Sequence, residues 1–184
     1  AAKSITTGYG NTALGSDSLE ANQTGIYNTA VGLSSLGNTT GDNNTGVGFG
    51  SGASTTTGTS CVFVGSYAGL SNTTGDNNTI VGRASLYSNT TGGNNTTLGY
   101  GTLLANTTAS NNTAIGYNAL TANTTGASNV AVGANALQAN TTAEQNTALG
   151  KSSLQTNTTG ANNTAVGKDA LYANSTGSTN VAVG

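Results

Sequence analysis

Apolar residues return along this chain in a fixed phase, with a period of seventeen, and the residues between them are mainly Asn, Thr, Ser and Gly. The stretch from Asn112 to Gly133, NTAIGYNALTANTTGASNVAVG, holds one whole unit and the beginning of the next. With Asn112 as position 1, the unit reads N-T-A-[V/I/L]-G-x-x-A-L-x-A-N-T-T-G-x-x. Other copies start at Asn11, Asn28, Asn44, Cys61, Asn78, Asn95, Asn129, Asn146, Asn163 and Asn180. The copy from Asn28 to Asn43 is one residue short, and its sequence places the loss between Leu36 and Asn38. A period of this length is the mark of stacked supersecondary units.

Two columns carry most of the branched side chains: position 4 (Val31, Val47, Leu98, Ile115, Val132, Leu149, Val166) and position 9 (Leu19, Leu36, Leu86, Leu103, Leu120, Leu137, Leu154, Leu171). Both are expected to form the core. Positions 2 to 4 read as a short strand, in which alternation sends positions 2 and 4 one way and position 3 the other. With position 4 inward, position 3 faces out. Its small residues Ala114, Ala131, Ala148, Ala165 and Ala182 then mark a contact with another subunit, because an outward strand face normally carries polar side chains. Position 5 is Gly in every copy, as a corner that needs positive φ or close backbone approach requires.

Helix is excluded by the lack of a 3.6-residue period and by the abundance of Gly and β-branched residues. Collagen is excluded by the absence of Pro and of a three-residue period. The remaining fold class is all-β: a β-solenoid, a parallel β-roll or β-helix of about eleven 17-residue coils, expected to be oligomeric. Residues 1–184 form one repeat domain. Coils 44–70 are the irregular ones, where Gly46, Gly50 and Gly52 weaken the core and Phe49, Phe63 and Tyr67 add bulk, as at a bend or a local specialisation. Ala1–Gly10 matches positions 8 to 17 and Asn180–Gly184 stops after position 5, the arrangement expected of a segment of a longer fibre or of stacking subunits. Asparagines at positions 1 and 12 are placed to form amide ladders of the cross-β kind.

Composition narrows the function. Charged residues are 5% of the chain, against about a quarter in ordinary domains, and the net charge of -2 leaves no basic footprint for nucleic acid. No apolar run is long enough for a membrane span. There is no His, and the six carboxylates (Asp17, Glu20, Asp42, Asp76, Glu144, Asp169) share turn positions with Lys3, Arg83, Lys151 and Lys168. Solvated turns of this kind lack the acid, base, nucleophile or metal cluster that an enzyme needs, and the recurrent Asp of a calcium-binding repeat is missing. No catalytic, cofactor or metal site is expected. Cys61 is the lone cysteine, so no internal disulfide forms, and it reads as a small residue in a ladder site. The Asn-x-Ser/Thr triplets at Asn22, Asn38, Asn72, Asn89, Asn106, Asn123, Asn140 and Asn157 read as polar turns in preference to glycosylation sites. One surface feature has the chemistry of a binding site. Arg83, Tyr100 and Tyr117 share position 6 in three successive coils, which makes a row at roughly 4.8 Å spacing suited to stacking on a cell-surface glycan or on itself.

The units Asn112–Leu120, Asn129–Leu137 and Asn163–Leu171, joined by NTTG-type turns, resemble the repeat shafts of phage tail-fibre proteins that end in a self-cleaving intramolecular chaperone. They are similar, more loosely, to the N-S-V-A-I-G head repeats of trimeric autotransporter adhesins. The resemblance covers nearly the whole chain. It implies an elongated parallel β-roll, trimeric, used for extracellular display or attachment on a virion or cell surface. Two other readings use the same coils: a head-to-tail polymer forming an extracellular filament, and an ice-binding solenoid built on the threonines of positions 13 and 14 (Thr107 and Thr108, Thr124 and Thr125, Thr141 and Thr142).

Overall fold

The computed structural model describes residues 1–184. Its strands are β1 (Thr12–Leu14), β2 (Thr29–Val31), β3 (Thr45–Val47), β4 (Val62–Val64), β5 (Thr79–Val81), β6 (Thr96–Leu98), β7 (Thr113–Ile115), β8 (Val130–Val132), β9 (Thr147–Leu149), β10 (Thr164–Val166) and β11 (Val181–Val183). They pair in chain order into one parallel sheet, each strand with its equivalent one repeat away, so the chain is a β-solenoid without helix. Register is strict: Ala114 lies opposite Ala131, and Ala131 opposite Ala148. Hydrogen bonding does not stop at the strands. Of 113 backbone bonds, 93 lie in turns and loops, as where Asn118 N–H donates to Tyr100 O (3.0 Å) and Leu120 N–H to Ala136 O (2.9 Å). The turns are laddered coil to coil much as the sheet is.

Leucine at position 9 points inward, as expected, and is fully buried in Leu36, Leu86, Leu103, Leu120, Leu137 and Leu154. The phase of the strand is the reverse of the expected one. Ala114, Ala131, Ala148 and Ala165 are fully buried members of the core cluster, and Ala182 is half-buried in the last coil; they do not form a subunit contact. Positions 2 and 4 face out. The reason is space: the Leu at position 9 fills most of each coil together with a small residue at position 3 and Ser, Thr or Ala at position 8, and the two bulky exceptions at position 3, Phe63 and Ile80, both border the leucine missing at Gly69. A second branched column would overpack an interior that tolerates little excess volume.

The irregular coils obey the same rule. Position 9 is Gly52 and Gly69 there, and Phe63 replaces Ala at position 3. A Cβ on Gly52 would meet the Phe63 ring at 2.7 Å and Leu36 Cδ2 at 2.9 Å, and one on Gly69 would land on the same ring with Ile80 Cδ1 at 3.0 Å, so Phe63, with Leu36 and Ile80 beside it, takes up the space of the two missing leucines. Strand pairing runs through these coils without a slip: β3, β4 and β5 keep unbroken register. The short coil also differs from expectation. Thr39, not Asn38, takes position 12, its N–H donating to Leu36 O (3.2 Å) as Asn123 N–H donates to Leu120 O (3.3 Å). Thr40 and Gly41 then both donate to Thr56 O, so the missing residue falls in the turn after Thr40.

Two buried amide columns close each coil. At position 1, Asn129 N–H donates to Asn112 Oδ1 (2.9 Å) while its Nδ2 donates to Ala143 O (2.9 Å). At position 12, Asn140 Nδ2 donates to Asn123 Oδ1 (2.8 Å) and to the same Ala143 O (3.0 Å). Burying an amide costs little when its hydrogen bonds are met. The columns are interrupted where the residue changes. Cys61 breaks the first, and Thr39 and Thr55 break the second, leaving their buried hydroxyls without partners.

Candidate functional surfaces

The charged groups come first, because an enzyme would need them. Lys3 Nζ reaches Asp17 (3.0 Å) and Glu20 (3.2 Å), and Lys168 reaches its neighbour Asp169 (3.0 Å), all of them exposed. The Asp17 hydrogen bond, seconded by that of Glu20, raises the Lys3 pKa, and the Lys3 hydrogen bond lowers that of Asp17. No three potential metal ligands come together.

The outer face of the sheet is the first candidate surface. It carries position 4, a branched aliphatic in every coil, and position 2, Thr or Val in every coil, with no charge in either column. Leu98 is 50% exposed, and Val47 and Leu149 over a third, while Val31, Val64, Val81, Ile115, Val132 and Val166 are half-buried beside them. Sequence reasoning placed this column in the core and so missed the surface.

The second candidate is the edge beyond the Gly corner. Gly116 there has φ +121°, and a Cβ on it would stand 2.8 Å from the Gly133 carbonyl, so the corner stays bare and position 6 projects past it. The expected row forms. Tyr100 and Tyr117 stack with centroids 5.6 Å apart and planes 11° from parallel, and the Arg83 guanidinium lies 5.7 Å from the Tyr100 centroid. Phe49 and Tyr67 meet edge to face at 4.9 Å, and Tyr67 meets Tyr87 at 6.3 Å. Sequence reasoning missed a further pair, Tyr9 against Tyr27 at 5.4 Å; it falls at positions 16 and 17, where no aromatic column exists to draw notice.

The threonine columns divide. The position 13 hydroxyls are used internally: Thr107 Oγ1 donates to Thr124 O, and Thr124 Oγ1 to Thr141 O (3.1 Å). Thr108, Thr125 and Thr142 at position 14 are exposed, so the two columns do not present their hydroxyls alike. The asparagines at 22, 72, 89, 106, 123, 140 and 157 are buried with their amides bonded, whereas Asn38 is exposed. Cys61 is fully buried, its Sγ 3.2 Å from Gly75 O, and burial pushes its pKa up to about 11.

In comparisons with known proteins, no family model, curated protein or solved structure matches the chain.

Proposed function

We propose that this chain is a structural fibre module, a homo-oligomer whose sheet faces pack against one another, serving display or attachment outside a virion or cell. The observation that carries this reading is the outward position 4 column. Eleven strands are separated by ten steps of roughly 4.8 Å, which extend it for roughly 50 Å. Single apolar residues on a surface are ordinary, but a continuous uncharged strip is the mark of an interaction site. Every coil repeats the same kinds of side chain at the same spacing, so a second copy of the strip is a matching partner. The resemblance to tail-fibre shafts and adhesin heads adds the number three and the extracellular role. The free face is long enough, and chemically plain enough, to serve as scaffold without a ligand.

The test is the native mass of the chain and of Val132→Glu. An outward Glu at position 4 costs the monomer little and buries a charge in the assembly. The expected result is a trimer for the parent and a smaller species for the variant, with the β-signal kept. A monomeric parent, or a variant of unchanged mass, overturns the proposal. Mass climbing with concentration beyond three copies would favour the filament reading.

A further inference from the structure

The position 6 column contains a gap. From the fifth coil onward it runs Arg83, Tyr100, Tyr117, Ala134, Lys151, Lys168. Arg83 covers one side of Tyr100, whose other side is taken by Tyr117. The next residue of the column after Tyr117 is Ala134, a single methyl, and Tyr117 is the more exposed ring, 56% against 45% for Tyr100. The next long side chain is Lys151, two coils away, roughly 9.6 Å along the rod. Ring faces stack with centroids 4.5–7 Å apart, so the space over Ala134 admits one ring against Tyr117.

Charge favours one class of occupant. The column holds three cations and no acid, although the chain as a whole carries -2. Lys168 is engaged with Asp169, whereas Lys151 pairs with no carboxylate and bounds the gap. We propose that the space over Ala134, between the Tyr117 ring and the Lys151 ammonium, binds an acidic sugar of a polysaccharide, a uronic acid or a sulfated sugar. The pyranose stacks on Tyr117 and its anion meets Lys151. This site lies past the Gly corner, off the sheet face, and does not depend on self-association.

Affinity electrophoresis in gels containing polygalacturonate, with neutral hydroxyethyl cellulose as the control polymer, tests it. The parent should be retarded by the acidic polymer alone. Tyr117→Ala should weaken retardation about three- to tenfold. Ala134→Leu fills the gap and should abolish it, and Lys151→Gln should remove its salt dependence. Tyr27→Ala, on another edge, should behave as the parent. No retardation of the parent, or retardation of Tyr117→Ala and Ala134→Leu as strong as the parent's, overturns the site; equal retardation by the neutral polymer overturns its acidic specificity. Native mass measured on the same samples separates this outcome from any failure of the fibre reading.

Discussion

At Cys61 a single atom type breaks a column that otherwise runs the length of the rod. Its N–H still donates to Asn44 Oδ1 (3.0 Å), but the following Asn78 N–H meets sulfur at 3.5 Å, where Asn95 N–H meets Asn78 Oδ1 at 2.9 Å. Sulfur is a weak acceptor. Cys61→Asn restores the oxygen and supplies an Nδ2 for Gly75 O, which should raise stability by about 1 kcal/mol. The thiol also sets a pH dependence. Its pKa of about 11, raised from 9.0 by burial, means that the folded chain holds the proton more tightly than the unfolded one. Unfolding therefore releases a proton between about pH 9 and pH 11, and stability falls as pH rises through that window. Denaturant unfolding at pH 7 and pH 10 should show a loss in the parent that is smaller in Cys61→Asn; a variant less stable than the parent at both values would remove the ladder as the reason for Asn at position 1.

Among the elements, Phe63 and the two glycines facing it make a test of the core. Phe63→Ala alone should cost about 3–5 kcal/mol, since neither Gly52 nor Gly69 supplies a side chain to fill the cavity. Gly69→Leu alone should also destabilise, by collision with the ring. Combined, the two substitutions recreate the ordinary Ala and Leu pairing and should cost less than their sum, by a coupling of about 1–3 kcal/mol in thermal or denaturant unfolding. Additive costs would mean that positions 3 and 9 do not share the same space. This compensation was legible in the sequence: Phe appears at position 3 where Leu is lost from position 9, which already pairs the two columns across the interior. Reading position 4 as core instead followed the ordinary equation of branched aliphatics with burial, which fails in a narrow coil whose interior is already filled from positions 3, 8 and 9. The strand triplets, the coil count and the Arg83, Tyr100 and Tyr117 row follow directly from period and phase. The backbone of the second side does not. Leu36 (φ +48°) and Leu120 (φ +56°), like the other position 9 leucines, are left-handed, a conformation that costs of order 1 kcal/mol and that no residue preference announces. Coil stacking imposes it.

For the whole molecule, stability is expected to accumulate from each coil and its contacts with the two beside it, as in other solenoids. Removing residues 112–128 joins Asn111 to Asn129 and places β8 against β6, pairing Thr96 with Val130 as Thr96 now pairs with Thr113. The shortened chain should fold with the same β-signal and scatter as a rod roughly 4.8 Å shorter. Removing eight residues in place of seventeen should instead misalign every column beyond the cut, and a chain that tolerated both deletions equally would not be held by register.

Strict register thus makes length a heritable quantity counted in whole steps. A gene encoding such near-identical units can gain or lose one by unequal recombination, and every in-phase product inherits a complete set of side-chain neighbours at the new junction. The rod is graduated in coils, and its reach can be reset without inventing a new contact.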